Sequence, residues 1–391
     1  TMNPDTKITL CVTGCDDWLG YAFVAGLNNG AGRQHVRRIY AGVIDENRQY
    51  TQWLKDEPNV EVFSYDENRT DKLDHYCKEA DAVVIVPTLI HHEQHLGDGD
   101  GDQDSRHKDV PPSVRAVLES MRQNHVHCAS LVSYVNVDQA KGPHLAQIAA
   151  TERAFVKCMK STRKFTVGDI GFAEGGHYVG CGQIIRASLP MEHLYLFQDV
   201  IRDDQAITLP VTDQEFVPVT MMDVTEGLVN LIYRNLHPPS HHNEALPPGW
   251  ALGQPTGHQS AATFPGYETG STGFRHADCG CGDGDKDKHR IINFTGPKSL
   301  TGSRLAEEAS HALGIHYDFR VIKLDDMRNY LMQKGLLRDA EAACLVELYE
   351  ELVIPGRMAK VIPDLQHALD RKPSGAAAFW KFNGNDFKPK H

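Results

Sequence analysis

The sequence predicts an α/β fold, a doubly wound parallel sheet followed by a smaller α/β C-terminal domain. An apolar segment, Ile8–Thr13, leads into a glycine turn and the start of an amphipathic helix. Further apolar segments at 37–45, 60–66 and 81–87 are separated by helical stretches. The last of them is continuously apolar, as strands buried on both faces are. This alternation predicts parallel strands joined by helical crossovers.

The later part of the chain continues the pattern with one interruption. We predict a first domain at 7–165 and a smaller second domain at 166–391, with elements near 216–236 that return to the first sheet. Residues from about 237 to 290 have little apolar periodicity and many His, Pro, Gly and Thr, which predicts a long loop insertion. Beyond it we predict the following elements: a strand at 290–296, a helix at 301–313, one long helical stretch at 331–352 and an aromatic tail at 379–382 that docks on the body.

Composition limits the classes of partner. The chain has 391 residues and a formal net charge of −12, which disfavours direct binding to nucleic acid or to an anionic membrane. Nine cysteines lie without paired spacing, as in reduced cytosolic or nuclear proteins. No apolar run reaches transmembrane length, and we expect no signal peptide before the first strand. We therefore expect a cytoplasmic or nuclear protein, or one found in both places.

The glycine turn after the first strand has the pattern of a dinucleotide site. In such folds the first helix directs its free N–H groups and positive dipole end at the pyrophosphate. The usual three glycines serve the turn, the approach of the phosphate and helix–strand packing. Here the first and third are Gly14 and Gly20, and the middle one is replaced by Asp17. The candidate cofactor-binding residues of this turn are Gly14, Asp17, Trp18, Leu19 and Gly20.

Asp17 leaves two alternatives open. Its position suits a helix N-cap, in which the carboxylate would take the N–H groups that a pyrophosphate needs. Its charge beside a phosphate would cost on the order of 4 kcal/mol at ~4 Å with an effective dielectric of ~20. The turn therefore either binds NAD or NADP, or binds it weakly or not at all.

Three more residues complete the candidate cofactor site. Asp45 ends the second strand, where an acid bonds the ribose 2′-hydroxyl of NAD, or it is simply solvated. Arg48 nearby keeps NADP in consideration. Asp66 either touches the adenine or begins a helix, and Pro87 closes the fourth strand.

Five segments, in order and spacing, resemble the NmrA-like family of atypical short-chain dehydrogenases. They are VTGCDDWLG at 12–20, DAVVIVP at 81–87, FTVGDIGFAE at 165–174, FVPVTMMDVTEG at 216–227 and LQHALDRKPS at 365–374. The resemblance implies a Rossmann domain with a smaller domain across a cleft. It also implies either an NAD(P)H reductase or a non-catalytic dinucleotide sensor that binds partners, including GATA-type transcription factors.

Catalytic residues are not evident. The superfamily uses a Tyr-x-x-x-Lys pair, in which the lysine lowers the pKa of the tyrosine that protonates the substrate. Reductase relatives often keep only a lysine four residues before a glutamate, and Ile148 stands at that position. Tyr134 and Lys141 have the wrong spacing for such a pair. We interpret Ser133 as a hydroxyl at the end of a strand and His144 as a solvated surface histidine, without a catalytic role. We predict no catalytic residue.

Two loops carry metal-ligand residue types. The acidic loop at 97–104 lacks the glycine and glutamate that a calcium loop requires. The His and Cys residues at 276–289 have Cys-x-Cys rather than Cys-x-x-Cys spacing. We predict no metal site in either.

The sequence thus favours a non-catalytic NmrA-like regulator, a negative regulator of transcription or development that acts through a protein partner. A GATA-type transcription factor is the partner that the resemblance implies. The alternative is an NAD(P)H-dependent reductase of a small carbonyl or quinone, and a third option is a scaffold that lost its ligand.

Overall fold

A computed structural model of the chain describes residues 7–89, 110–163, 181–237 and 290–389. The predicted loop insertion, the two candidate metal loops and the predicted strand at 165–171 lie outside the described residues, apart from the terminal residues 237 and 290 of the insertion.

The main sheet is parallel, as the sequence predicts. Its spatial order is β3-β2-β1-β4-β5-β6-β8, and every neighbouring pair is parallel. The seven strands are β1 Ile8–Thr13, β2 Val36–Val43, β3 Val60–Ser64, β4 Ala82–Ile85, β5 Cys128–Tyr134, β6 Cys181–Ala187 and β8 Arg290–Phe294. Strand order reverses between β1 and β4, where doubly wound sheets place their ligands.

Helices cover both faces of this sheet. Along β1, Leu10 and Val12 pack into one apolar core with helices α1 and α7, whereas Cys11 packs into the other core with α3 and α4. This alternation is the period of two of a buried strand. The helices are α1 Trp18–Asn29, α2 Gln49–Lys55, α3 Asp71–Glu79, α4 Pro112–Gln123, α5 Pro143–Arg163, α6 Gln198–Asp204, α7 Met221–Leu236, α8 Gly302–Leu313, α9 Leu324–Gln333, α10 Asp339–Leu348, α11 Asp364–Leu369 and α12 Ala376–Asn383.

A smaller α/β unit lies in the C-terminal half. Its two-stranded parallel sheet pairs β7 Ala206–Leu209 with β9 Asp318–Val321. Strands β6 and β8 belong to the main sheet, although both lie after residue 165. The predicted domain boundary stays a prediction.

The predicted single helical stretch at 331–352 is wrong. It consists of the end of α9, a turn, α10 and a π-helical turn at Tyr349–Val353. Gly335, with φ of +65°, lies in the turn, a left-handed conformation that ends a helix readily only at glycine or asparagine. In the tail, Phe379 and Trp380 are buried as expected, whereas Phe382 is 61% exposed.

No helix in the described part of the chain is long and apolar enough to cross a membrane. Cys11, Cys15, Cys77 and Cys344 are buried free thiols.

Gly20 tests the packing of α1 on β1. A Cβ added at Gly20 would lie 2.0 Å from the backbone oxygen of Gly14, so the helix and the turn would have to move apart. We expect Gly20→Ala to lower the free energy of unfolding by about 2–3 kcal/mol in urea titrations. In Gly375→Ala the added Cβ would have ordinary contact with Pro297 at 3.6 Å, and that control should cost under ~1 kcal/mol. Equal losses would contradict the close approach.

Candidate functional site

The glycine turn has the backbone of a dinucleotide cradle. Gly14 has φ of +76°, and a Cβ there would lie 2.2 Å from the carbonyl oxygen of Val86 at the end of β4. The next residue, Cys15, donates its N–H to the carbonyl oxygen of Gly42 in β2 at 3.0 Å. Both ends of the motif therefore need glycine, because backbone of a neighbouring segment lies against each of them.

Asp17 does not cap α1 with its side chain, contrary to the cap suggested by the sequence. It occupies the N-cap position with extended φ and ψ, yet its carboxyl accepts no hydrogen bond from the helix. Instead Oδ1 lies 3.4 Å from Nη1 of Arg48, just before α2. The side chain of Asp17 is only 9% exposed, so this cation satisfies a buried group.

Arg48 also binds the segment around α10, nearly three hundred residues away. Its Nη2 donates to Oε2 of Glu341 at 3.0 Å and its Nη1 to Oε1 at 3.3 Å, in a bidentate pair. Nη2 further donates to the carbonyl oxygen of Leu336 at 3.2 Å. The Arg48 and Glu341 side chains are 10% and 3% exposed, respectively. One guanidinium therefore joins the glycine turn to residues 336–348, which we call the closing segment.

A second arginine of the closing segment binds the neighbouring acids. Nη2 of Arg338 lies 3.1 Å from Oδ2 of Asp45 and 3.4 Å from Oδ2 of Asp16. Asp16 is fully buried and accepts from the backbone N–H groups of Ile44 and Asp45 at 3.1 and 3.3 Å. The ribose-side acid that the sequence assigned to NAD is thus paired with an arginine of this chain.

Burial shifts the pKa of two acids in this cluster upward, toward the protonated form. Burial raises the pKa of the Asp17 carboxyl well above its ordinary value, and the negative charges of Glu341 and Asp16 raise it further, against the opposing effect of Arg48. Burial also raises the pKa of Asp16, against the backbone N–H of Ile44 and the charge of Arg338. Anionic phosphates brought to this turn would therefore meet several buried carboxyl groups.

Helix α10 fills the cleft beside the turn. The remaining cavity has a volume of about 30 Å³, which has room for water but not for a larger ligand. Dinucleotide-sized ligands occupy pockets of several hundred Å³. Among the described residues, Cys344 and Leu345 of α10 line this cavity, whose volume is far too small for a dinucleotide. The cavity is lined by Asp17, Trp18, Leu19, Pro87, Leu89, Tyr134, Ile148, Glu341, Cys344 and Leu345.

Asp66 lies apart from this cluster. Its carboxylate accepts from the backbone N–H of Asn68 and from Nε of Arg69 in an exposed turn. Helix α3 begins only at Asp71, so the expectation that Asp66 begins a helix is wrong. The other sequence candidates, Gly14, Asp17, Trp18, Leu19, Gly20, Asp45 and Pro87, come together around the turn.

Of the residues that the sequence offered for catalysis, Lys141 is exposed, whereas the others are buried: Ser133, Tyr134, His144 and Ile148. Ile148 and Tyr134 face the same small cavity, and burial raises the pKa of Tyr134 well above its usual range. His144 is 2.6 Å from Oε1 of Glu347, and Oε2 of that glutamate accepts the backbone N–H groups of His144 and Leu145 at 3.0 Å each. Glu347 of α10 therefore binds the first turn of α5, where the helix dipole favours an anion.

Sequence reasoning missed Asp16, Arg338, Glu341 and the contacts of Arg48. The available signal was the pair of adjacent acids in an otherwise apolar turn, since buried carboxyls need cations or protons. No group of three or more metal-ligating side chains occurs among the described residues.

Substitution of Arg48 measures how much its buried contacts with Glu341 and Asp17 contribute to stability. Removing the cation from a buried pair leaves uncompensated charge, so we expect Arg48→Met to lower the free energy of unfolding by about 3 kcal/mol in urea. Arg320, whose pair with Asp204 is half exposed, is the matched control, and Arg320→Met should cost under ~1 kcal/mol. Similar decreases in the free energy of unfolding for the two variants would show that the contacts of Arg48 contribute no more than a surface pair.

Substitution of Asp17 tests whether its buried carboxyl binds a proton in the folded state. A carboxyl whose folded-state pKa is raised contributes its stability below the unfolded pKa of ~3.9 and loses it as pH rises toward the folded value. We expect the wild-type free energy of unfolding to fall from pH ~4 to ~7 more steeply than that of Asp17→Asn, which has no acid there. Asp66, whose pKa is lowered by Arg69, is the control, and Asp66→Asn should keep the wild-type slope above pH ~5. Parallel profiles for wild type and Asp17→Asn would contradict the buried proton.

Solved structures with the same fold include reductases and an epimerase. An NADPH-dependent quinone oxidoreductase from Escherichia coli, complexed with NADPH, has a TM-score of 0.56 at 13% identity, covering 96% of this chain and 100% of its own. The triphenylmethane reductase of Citrobacter sp., complexed with NADP(H), has a TM-score of 0.54 at 13% identity over 94% and 98%. A nucleoside-diphosphate-sugar epimerase from Staphylococcus aureus has a TM-score of 0.55 at 14% identity over 96% and 100%.

No protein-family model matches this sequence, and no curated protein matches it. At such identities the likeness concerns the fold alone. The chain thus has the Rossmann-type fold found in these NAD(P)-dependent reductases and in the epimerase.

Proposed function

We propose that this chain is a non-catalytic regulator of the NmrA-like type, whose dinucleotide cleft is closed by its own α10 and which acts through a protein partner. The bidentate pair between Arg48 and Glu341 carries the proposal, because it fixes the closing segment against the glycine turn. Because the pair is buried, removing one partner would leave the other charge uncompensated at a cost of about 3–5 kcal/mol, which favours the closed arrangement.

The chemistry of the cleft supports the same proposal. Hydride-transfer enzymes of this superfamily need a proton donor beside the reacting carbonyl. At the corresponding place this chain has Ile148, with Leu345 and Cys344 of α10 packed beside it. Burial raises the pKa of the Cys344 thiol, so that it stays neutral. The residues that would serve catalysis are therefore replaced by apolar packing.

An NAD(P)H-dependent reductase of a small carbonyl or quinone is the second candidate, and the comparisons favour it over the regulator. Two of the neighbours described above are reductases with NADP(H) or NADPH bound. In this chain the reductase requires the closing segment to leave the cleft. Arg48 would then no longer contact Glu341 and could bind the 2′-phosphate of NADPH. With the closing segment displaced, the site would therefore prefer NADP to NAD.

Cofactor titration separates the two candidates. The regulator is expected to show no saturable binding of NADPH, NADP, NADH or NAD up to about 1 mM by calorimetry, and no NADPH oxidation with quinones or aldehydes. Glu341→Ala, which frees Arg48, should bind NADPH more tightly than the wild type, whereas Glu307→Ala, an exposed acid in α8, should not. Micromolar NADPH binding with turnover by the wild type would establish the reductase.

Binding of the proposed protein partner can be measured directly. A purified GATA-type zinc-finger domain is the protein that the NmrA-like resemblance implies, and the regulator is expected to bind it with micromolar affinity in calorimetry. The affinity should be the same with and without NADPH, because the closed cleft excludes the nucleotide. Absence of binding, together with NADPH turnover, would contradict the regulatory role.

A further inference from the structure

A second and much larger cavity lies on the other side of Trp18. It is a groove of about 890 Å³ between α1, α2 and the C-terminal half, in the size range of small-molecule sites. Trp18 is the one residue that lines both this groove and the small cavity beside the glycine turn. The groove and the small cavity are therefore lined by different residues apart from Trp18, and a ligand in the groove would not occupy the dinucleotide position at the glycine turn.

Aromatic rings dominate one part of the groove. The rings of Tyr21, Tyr50 and Trp53 lie with their centroids 5.3–5.6 Å apart, which makes a continuous aromatic wall. Trp53 is 38% exposed, so part of its surface is open to a ligand. Phe382 of α12, 61% exposed, lines the same groove. Ring faces attract organic cations through their negative electrostatic potential, and the Arg48 guanidinium already lies over the Tyr50 ring, 5.4 Å from its centroid. Tyr50 is itself buried, so Tyr21, Trp53 and Phe382 are the rings left for a ligand in the groove.

Carboxyl groups supply the matching charge. Among the described residues that line the groove, one basic side chain occurs, that of Lys334. Its Nζ already binds Oδ2 of Asp199 at 2.5 Å. The other lining carboxyls have no ion pair within 4 Å among the described residues: Asp56, Glu57, Glu192 and Asp386. The groove thus combines aromatic faces with a surplus of negative charge.

Glu192 gives an independent sign of a missing partner. Its Oε1 accepts the backbone N–H of Met221 at 2.8 Å, whereas Oε2 is buried without a hydrogen-bond partner among the described residues. Burial raises the pKa of this carboxyl to about 7. A buried carboxylate oxygen without a partner is costly unless a donor or a cation approaches it.

We propose that this groove binds a small organic cation, an alkylated ammonium compound, with its charge between the aromatic wall and Glu192. The volume favours a free small molecule over a protein segment. The inference does not depend on the proposed function, because neither Arg48 nor Glu341 lines the groove, although Trp18 of the glycine turn and Leu336 of the closing segment do.

Choline and its neutral isostere 3,3-dimethyl-1-butanol test the proposal by calorimetry. We expect choline to bind at least about tenfold more tightly than the isostere, because the two differ in charge and not in shape. Trp53→Ala should weaken choline at least about fivefold, and Glu192→Gln should weaken it while leaving the isostere unchanged. Val321→Ala, another exposed apolar residue that does not line the groove, is the control and should bind like the wild type.

Proton release is a further readout. Since a bound cation stabilises ionised Glu192, choline binding at pH ~6 should release a proton, seen as a heat that varies with buffer ionisation enthalpy. Glu192→Gln should abolish that release. Equal affinity for choline and the isostere, no binding of either, or binding only of an arginine-rich peptide would overturn the proposal. None of these results bears on NADPH binding, so failure here is distinguishable from failure of the proposed function.

Discussion

The buried guanidinium of Arg48 is the interaction on which the rest of the site depends. It lies between Asp17 of the glycine turn and Glu341 of α10, so it offsets two carboxyls that burial would otherwise make costly. The same group binds the carbonyl oxygen of Leu336. Arg48 therefore connects the glycine turn to the closing segment, and Asp17, in place of a glycine, supplies the carboxyl group on the turn that contacts it.

Charge balance explains why the closing segment lies at this turn. Phosphate-binding turns present N–H groups and a positive dipole to an anion. Here the carboxyl groups of Asp16 and Asp17 lie at the turn, where they contact Arg338 and Arg48 instead of a phosphate. Glu347 anchors the other end of α10 at the first turn of α5. The fold keeps the dinucleotide architecture while the residues within it bind one another.

The sequence predicted the parts of this arrangement that are local. Strand, turn and helix around Gly14 and Gly20 follow from periodicity and from backbone conformations that favour glycine, and the parallel sheet is confirmed. The partner of Asp17 was not predictable, because Arg48 and Glu341 are far away in sequence and their contacts arise only in the folded chain. The same reason hid the break at Gly335, which apolar spacing alone joined into one helix. Local patterns determine elements, whereas long-range charge pairs determine what the site accepts.

Hydrogen exchange measured by mass spectrometry with and without NADPH at about 5 mM tests the closed cleft most directly. If α10 is held by Arg48, the amides of α10 and of the 14–20 turn keep the same protection in both conditions. Increased protection of the turn, together with loss of protection in α10, would show that NADPH displaces the closing segment and would contradict the account.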